Sequence, residues 1–207
     1  MIQEGADEDL QQQLEALLSK EIAGIDEVGK GALFGPVFAG AVILDKQSEG
    51  FLISSGLKDS KKLSAKKREA LVPLIKKSSI SWALGQASAR EIDMFGIRKA
   101  TEKAMLRAVQ LLNPKPVLLL IDGCLPLRLW TGKQKTLVKG EDKSPAIAAA
   151  SVLAKVARDA LIKELAKKYP FYGLETNSGY GTLLHRRALV EKGSTELHRK
   201  KFLSKIK

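Results

Sequence analysis

The chain has 207 residues, of which 44% are hydrophobic and 28% are charged, a composition that excludes a disordered protein and leaves room for one substantial domain. Its 35 Lys and Arg residues outnumber 23 Asp and Glu residues, which gives a net charge of +12 at pH 7. Such an excess favours a polyanionic partner, most simply a nucleic acid, although a basic surface that serves only solubility gives the same count.

The same composition bears on where the protein works. Cys124 is the only cysteine, which excludes an intrachain disulfide and a cysteine-based zinc site and fits the reducing cytoplasm. The beginning of the chain, MIQEGADEDLQQQLEALL, is acidic and amphipathic, unlike a signal peptide. No apolar run reaches the ~20 residues that a membrane-spanning helix needs. We therefore expect a cytoplasmic protein with no membrane partner.

The first half of the chain predicts a hairpin and a helix. Apolar residues at helical spacing predict a short leading helix over residues 10–20. Two apolar runs, at 22–30 and 36–44, predict strands that the glycines between them join in a hairpin. Ser64 is a suitable N-cap for a helix over 65–76, and residues 79–89 resemble a third strand.

The second half predicts alternating helices and strands. In chain order these are a helix over 98–112, a strand over 116–121, a weaker strand over 134–139, a long helix to about residue 168, a loop over 171–182, a helix over 183–191 and a basic tail. The run at 116–121 has the continuous apolar pattern of an interior strand covered on both faces. Ser144 and Pro145 suit the N-cap and first position of the long helix. Together these patterns predict an α/β protein, with a mixed sheet flanked by helices.

Acidic residues stand at positions where such a fold gathers ligands. Asp26 and Glu27 are neighbours on the first predicted strand, so they point to opposite faces unless the strand ends or bulges there. Asp122 follows the predicted interior strand at its carboxyl end, where sites collect in open α/β sheets. A further acid, Glu141 or its neighbour Asp142, precedes the long helix.

These acids have no obvious Arg partner, and buried carboxylates without compensation raise one another's pKa. Divalent cations are the most economical compensation, and ligands that are all oxygen select Mg²⁺ or Mn²⁺. In a basic protein this combination indicates two-metal phosphodiester chemistry. The pattern alone is equally compatible with Asp26 and Asp122 as acids that only shape local turns.

Six stretches of the sequence, taken in order, resemble the bacterial ribonuclease HII family, the type 2 ribonucleases H. They are AGIDEVGKG with the strand after it (23–44), LKDSKKLS (57–64), IDG (121–123), KGEDKSPAIAAASVLAKVARD (139–159), YPFYGLETNSGYGT (169–182) and HRKKF (198–202). Together they span roughly residues 22 to 202 and are highly specific, whereas DE-x-G-x-G alone is a weak signal.

The resemblance implies a ribonuclease H-like fold with a helical C-terminal extension. It also implies cleavage of RNA in RNA–DNA hybrids and incision 5′ of single ribonucleotides embedded in duplex DNA, with 5′-phosphate and 3′-hydroxyl products. We expect one catalytic domain over 1–207, with an N-terminal extension (1–20), a core (22–170) and a C-terminal part (171–207), acting as a monomer. A binding module for hybrids that does not cut is the alternative that charge alone leaves open.

The catalytic acids that the resemblance implies are Asp26, Glu27 and Asp122, with Asp26 bridging two Mg²⁺ or Mn²⁺ ions. The fourth acid of the family is usually Asp, at the position that Glu141 occupies here. Asp142 stands where a small residue is common. We expect Glu141 to fill the fourth role and keep Asp142 as the alternate.

The resemblance also implies the substrate-binding residues. The loop Gly29-Lys30-Gly31 corresponds to Gly-Arg-Gly in the family, where the backbone approaches the ribose 2′-hydroxyl, the group that tells RNA from DNA. Lys30 keeps the charge of the usual Arg but loses its planar fork. Tyr180 would pack on the neighbouring sugar and contact the same hydroxyl.

Further contacts to the nucleic acid are expected along two segments. Lys61 and Ser60 are expected at a phosphate. Ser151, Lys155 and Arg158 share one face of the long helix and are expected to point toward the bound duplex. Asp159 is interpreted as the partner of a nearby basic residue. Separately, His185 and His198 are too isolated in sequence for a metal pair, and we expect them to be surface or packing residues.

Overall fold

The computed structural model describes residues 21–204, so the predicted helix over 10–20 lies outside the described residues. Within them one mixed sheet contains the strands β1 (Ile22–Val28), β2 (Val37–Ile43), β3 (Ser81–Ala87), β4 (Leu118–Asp122) and β5 (Lys133–Leu137), in the order β3-β2-β1-β4-β5. Strand β2 pairs antiparallel with β1 and β3, whereas β4 pairs parallel with β1 and β5. The predicted hairpin and the interior position of β4 are confirmed.

Helices surround this sheet. They are α1 (Lys46–Ser54), α2 (Ala65–Ser78), α3 (Ala89–Phe95), α4 (Ile97–Leu111), α5 (Pro145–Lys168), α6 (Leu174–Asn177), α7 (Leu183–Lys192) and α8 (Lys200–Leu203). Short 3₁₀ turns cover Ser60–Lys62, Gly140–Asp142 and Pro170–Tyr172.

Side-chain caps fix where several helices begin. The hydroxyls of Ser64 and Ser144 accept hydrogen bonds at the starts of α2 and α5, as predicted. The sequence patterns missed α1 and α3, and they assigned the short helices α6 and α8 to a loop and to the basic tail. Helix α3 nevertheless carries a readable signal, since Ser88 and Glu91 form a reciprocal capping box.

The sheet lies between two helical layers. Helix α4 packs on one face over Ala23, Ile25 and their neighbours, and α5 packs with α2 on the other face. The approach of α5 is so close that a Cβ on Gly40 of β2 would lie 2.2 Å from the carbonyl oxygen of Ala150. Glycine is therefore needed at that position, and the first half of α5 is held against the centre of the sheet.

A third apolar cluster joins the C-terminal helices to the rest of the molecule. Phe34 lies at its centre with Ile162 of α5, Tyr172, Leu174 and Ala188 of α7. The predicted helical C-terminal extension is thus confirmed, and it packs on the loop that follows β1. Nowhere in residues 21–204 does a helix combine the length and apolar character needed to cross a membrane.

Candidate active site

Three separate segments bring acids to one end of the sheet. Ile25 of β1 pairs with Ile121 of the parallel strand β4, so Asp26 and Asp122 follow at the same level of adjacent strands. The turn Gly140–Asp142 then approaches β4, because the Gly140 N–H donates to Asp122 Oδ1 at 2.7 Å. This turn carries Glu141, so the geometry gathers acids that lie far apart in the sequence.

Asp26 and Glu27 point to opposite faces of β1, as predicted. Asp26 is 4% exposed and faces α5, where it forms a hydrogen bond with Ser151. Glu27 faces the α4 side and lines a cavity of about 250 Å³ together with Asp122 and Met105. The pair therefore presents one carboxylate to each side of the strand end.

The structure separates the two candidates for the fourth acid. Glu141 is 8% exposed and accepts a hydrogen bond from the Ser60 hydroxyl at 2.8 Å. Asp142 is exposed and pairs with Lys62 at 2.6 Å. The charge of Glu141 also reaches Asp26, whose pKa it helps to raise. Burial and proximity both favour Glu141 as the fourth acid.

A chain of hydroxyls connects Asp26 to Glu141. The Ser60 hydroxyl has one hydrogen and, since an ionised carboxylate can only accept, that hydrogen goes to Glu141 Oε1. Ser60 Oγ then accepts the hydrogen of Ser151, whose oxygen lies 2.8 Å away. With its hydrogen directed to Ser60, Ser151 offers a lone pair to Asp26, which favours the protonated form of that acid.

The electrostatics of the site agree with a protonated Asp26. Burial, and next the neighbouring carboxylate of Glu27, raise the pKa of Asp26 from 3.8 to about 8, and Glu141 and Asp122 add to the rise. A hydrogen bond donated by Ser151 would lower this pKa, but the hydrogen of Ser151 is already directed to Ser60. Burial also raises the pKa of Glu27, against the opposing effect of Lys30. Ordinary surface acids show neither shift.

The donor set fits divalent cations, although the side chains face other partners in this structure. In the part of the chain from 21 to 204, no three His, Cys, Asp or Glu side chains are arranged to hold a metal ion. Each carboxylate instead accepts an internal hydrogen bond or ion pair, as Glu27 does from Lys30 at 2.5 Å. Four acids supply oxygen ligands alone, and a cation would relieve the repulsion that keeps Asp26 protonated.

The lysines predicted to contact the nucleic acid form ion pairs with acidic residues in this structure. Lys61 Nζ is 3.5 Å from Glu141, and its side chain is largely exposed. Lys155 pairs with Asp159 at 2.9 Å, which confirms the structural role predicted for Asp159. Ser60 and Ser151 are buried in the hydroxyl chain, and their predicted contacts with substrate stay predictions.

The loop after the acid pair is shaped by a buried arginine. Gly29 has φ of +87°, and a Cβ there would lie 2.1 Å from Arg158 Nε, so no other residue fits. Gly31 has open space around the position of a Cβ. Of the two glycines, Gly31 therefore leaves the main chain open to a ligand, while Gly29 meets a packing requirement.

The expectation that Arg158 points toward the duplex is wrong. Arg158 is 0% exposed, and its guanidinium donates to the carbonyls of Phe34, Pro36 and Ser178. The signal was available in the sequence, because Ile147, Ser151, Arg158 and Ile162 recur at helical spacing on the buried face of α5.

Arg199 is a second buried arginine at the site, and sequence reasoning missed it. It donates to the carbonyl of Gly35 at 2.9 Å and to that of Lys30 at 3.0 Å. Its Nη2 atom is buried without a hydrogen-bond partner among residues 21–204. The only prior sign of this residue was the HRKKF stretch, whose role the sequence does not reveal.

Tyr180 lies beside these two arginines. Its backbone N–H donates to the Asn177 carbonyl at 2.9 Å, and its ring lies 5.5 Å from the guanidinium carbon of Arg158. The side chain is half-buried. The structure thus brings Tyr180, the glycine loop and the acid pair into one neighbourhood through Arg158.

Comparison with known proteins identifies the family. A family model described as Ribonuclease HII matches residues 23–205. The chain belongs to the ribonuclease HII family. A ribonuclease HII of the cyanobacterium Prochlorococcus marinus is 72% identical over 184 residues, which are 89% of this chain and 96% of the relative. Its membership makes the chain an endonuclease with ribonuclease H activity on RNA–DNA hybrids.

Two solved structures, a ribonuclease H2 and a ribonuclease HII, share the fold. The ribonuclease H2 of Pyrococcus horikoshii OT3 is 25% identical with a TM-score of 0.75, and the match covers 89% of this chain and 96% of that one. The enzyme of Archaeoglobus fulgidus, solved in complex with PCNA, is 28% identical with a TM-score of 0.74 over 89% of this chain and 94% of that one. The predicted ribonuclease H-like fold is confirmed.

Proposed function

We propose that this ribonuclease HII holds two divalent cations, Mg²⁺ or Mn²⁺, with Asp26, Glu27, Asp122 and Glu141. The observation that carries the proposal is the convergence of these carboxylates, from two parallel strands and a 3₁₀ turn, at one end of the sheet. The raised pKa of Asp26 supports it, because excess negative charge at a buried point is what a cation would neutralise.

The residues of the chain prepare this chemistry. Divalent ions held by these acids would activate a water and offset the charge that develops on the scissile phosphate. Asp26 would then be ionised, since a nearby positive charge favours that form. The hydroxyl chain through Ser151 and Ser60 keeps Asp26 and Glu141 oriented toward each other. The products are a 5′-phosphate and a 3′-hydroxyl.

The proposed substrates include duplex DNA that contains a single ribonucleotide, which is incised on its 5′ side, in addition to hybrids. The main chain of Gly29-Lys30-Gly31 and the side chain of Tyr180 would contact the 2′-hydroxyl and the neighbouring sugar. The open space at Gly31 and the hydrogen bond from Arg199 to the Lys30 carbonyl support this assignment.

The lysines at the acids would serve both the free and the bound enzyme. Lys30 and Lys61 pair with Glu27 and Glu141 in this structure, and they become available to phosphates when cations take their place. Lys155 would add to the positive surface that attracts the duplex. One chain supplies every acid of the proposed site, so the proposal needs only a monomer, with its core over 22–170 and its C-terminal part over 171–207.

A single incubation tests the proposal. End-labelled duplex DNA with one ribonucleotide, and a full RNA–DNA hybrid, are incubated with Mg²⁺, with Mn²⁺ or with EDTA. We expect incision 5′ of the ribonucleotide only when a cation is present. Asp26→Asn should still bind both duplexes but cut at no more than a trace of the rate. Cutting in EDTA, or normal turnover by the variant, would overturn the two-cation assignment.

A further inference from the structure

His185 and His198 are packing residues, one of the two roles expected for them, and they form a buried pair next to Tyr180 that the sequence did not predict. Their exposed fractions are 0% and 1%, and their Nε2 atoms lie 3.0 Å apart. Neither residue belongs to the acid cluster, and the proposed reaction does not use them. Because buried ring nitrogens need hydrogen-bond partners, the four nitrogens must be assigned together.

The assignment has one consistent direction. The Thr195 N–H donates to His198 Nδ1 at 3.0 Å, and the Thr195 hydroxyl lies 2.9 Å from the same atom and can donate to it as well, so the hydrogen of a neutral His198 is on Nε2. That hydrogen points to His185 Nε2, which must accept it. His185 therefore carries its own hydrogen on Nδ1 and donates it to the Tyr180 carbonyl at 2.9 Å. The result is a relay from Thr195 through both imidazoles to Tyr180.

The surroundings of the pair keep both rings neutral. The rings of Phe34 and Tyr172 pack against His198 at centroid distances of 4.9 and 4.8 Å. The ionisable groups that face the pair are Tyr172, from the turn before α6, and Glu196, from the segment before α8. Burial lowers the pKa of His185, and burial together with the charge of His185 lowers the pKa of His198 to about 4.

A proton on His185 would break the relay. It would place a hydrogen on Nε2, opposite the N–H of His198, so that two donors face each other where a hydrogen bond stood. A proton on His198 would place a hydrogen on Nδ1, which would displace the bond from the Thr195 N–H and leave the Thr195 hydroxyl as the acceptor.

The relay ends on the one residue of this region that the proposed function places at the substrate. The Tyr180 carbonyl also accepts from the Thr182 N–H at 2.9 Å, and its N–H donates to the Asn177 carbonyl at 2.9 Å. With the His185 bond, three hydrogen bonds define the backbone of Tyr180 at the start of α7. The ring direction follows from that backbone, because rotamers depend on φ and ψ.

We propose that the His185–His198 pair is a positioning device that fixes Tyr180 for contact with the ribonucleotide sugar. The inference rests on the proposed function for the role of Tyr180, whereas the relay itself stands on the free protein. His185 and His198 are positioning residues, and they act on the substrate only through Tyr180.

The first test reads the hydrogen positions directly. The chain has two histidines, so a long-range ¹H–¹⁵N spectrum of the full chain at pH 7 contains only this pair. We expect one ring with its hydrogen on Nε2 (His198) and one with its hydrogen on Nδ1 (His185). Two rings of the same tautomer, or a charged ring at pH 7, would overturn the relay whatever the enzyme cuts.

The second test asks whether His185 acts through Tyr180. His185→Phe should lower kcat/KM on the single-ribonucleotide duplex by about 10-fold, as expected for a misplaced substrate contact. In a Tyr180→Ala background the same change should alter kcat/KM by less than about 2-fold, because the group that it positions is gone. Equal effects in both backgrounds would overturn the positioning role.

A matched control separates positioning from loss of stability. Leu174→Ala removes a buried side chain from the same apolar cluster and leaves the relay intact, so it should lower the melting temperature and act equally in both backgrounds. His185→Asn, which keeps an N–H near the Nδ1 position, should recover part of the activity. If the wild type does not incise the duplex, the proposed function fails while the tautomer test still decides the relay.

Discussion

Replacing Asp26 by asparagine should stabilise the cation-free protein while it abolishes cutting. Burial and Glu27 raise the pKa of this acid from 3.8 to about 8, so the folded protein holds the proton at pH 7 and the unfolded chain releases it. An asparagine never ionises in either state. Its amide also donates to Ser151 Oγ, as the protonated acid does, and it still accepts from the Glu27 N–H, which lies 2.7 Å from Asp26 Oδ1.

The size of the effect follows from linkage. An acid whose pKa is raised on folding contributes its full stabilisation to the folded state at pH values below its unfolded pKa. That stabilisation is lost as the pH rises toward the folded pKa. Because pH 7 is about 3 units above the unfolded pKa, the free energy of unfolding lost at this pH is about 4 kcal/mol. Asp26→Asn should therefore gain up to ~4 kcal/mol at pH 7, roughly 8–16 °C in melting temperature for a chain of this length, and almost nothing at pH 4.

Urea and thermal unfolding in EDTA between pH 4 and pH 8 measure this gain. Asp142→Asn is the matched control, since this exposed acid should change stability by less than about 0.5 kcal/mol at any of these pH values. Mg²⁺ should stabilise the wild type and leave the Asp26 variant nearly unchanged. An asparagine variant that is no more stable than the wild type at pH 7, relative to pH 4, would refute the reasoning.

Three other results are expected. Glu141→Gln should lower Mg²⁺-dependent incision at least about 100-fold, and Asp142→Asn by less than about 2-fold; the reverse would reassign the fourth acid. Lys30→Met should reduce the slope of log affinity for a hybrid against log salt by about 1 in Ca²⁺ and leave it unchanged in EDTA, where Glu27 holds the lysine. An equal change of slope in Ca²⁺ and in EDTA would contradict the idea that Lys30 leaves Glu27 for a phosphate only when a cation is bound. In the Asp26→Asn variant, the free energy of unfolding should fall as the pH drops from 6.5 toward 4. The reason is that the buried histidines stay neutral in the folded state, whereas they take up protons in the unfolded chain. Urea titrations in which this free energy does not fall in acid would contradict the neutral pair.

Local signals in the sequence were sufficient for most of the fold. The glycines after β1 predicted the hairpin, and Ser144-Pro145 predicted the start of α5, because turns and caps depend on residues close together in the chain. Helix α1 was missed because Gly50 interrupts it and only Leu52 is buried along its length, which leaves no apolar stripe to detect. Helix α3 was missed through an overlooked capping box rather than through a missing signal.

The candidate site could likewise be predicted from the sequence only in part. The acids stood out because carboxylates in apolar surroundings are unusual at any position. The choice between Glu141 and Asp142 required the tertiary structure, since only the fold determines which of two neighbours meets Ser60. The histidine relay was hidden for the same reason. His185 and His198 are on separate segments, and their contact depends on how α7 turns back over Phe34.

Two buried arginines connect the C-terminal part to the loop that follows the acid pair. Within residues 21–204, the Arg158 and Arg199 side chains donate to backbone carbonyls of the loops at 30–36 and 178 and to no other group. Burying such charges is costly unless they fix a geometry that apolar side chains would leave free. Arg199 comes from the segment after α7 and reaches the carbonyl of Lys30, within the glycine loop. Removing that segment would therefore release the loop beside Glu27 together with the segment that carries Phe34. The loop after β1 and the loop before Tyr180 are thus held together by hydrogen bonds from two guanidinium groups to main-chain carbonyls.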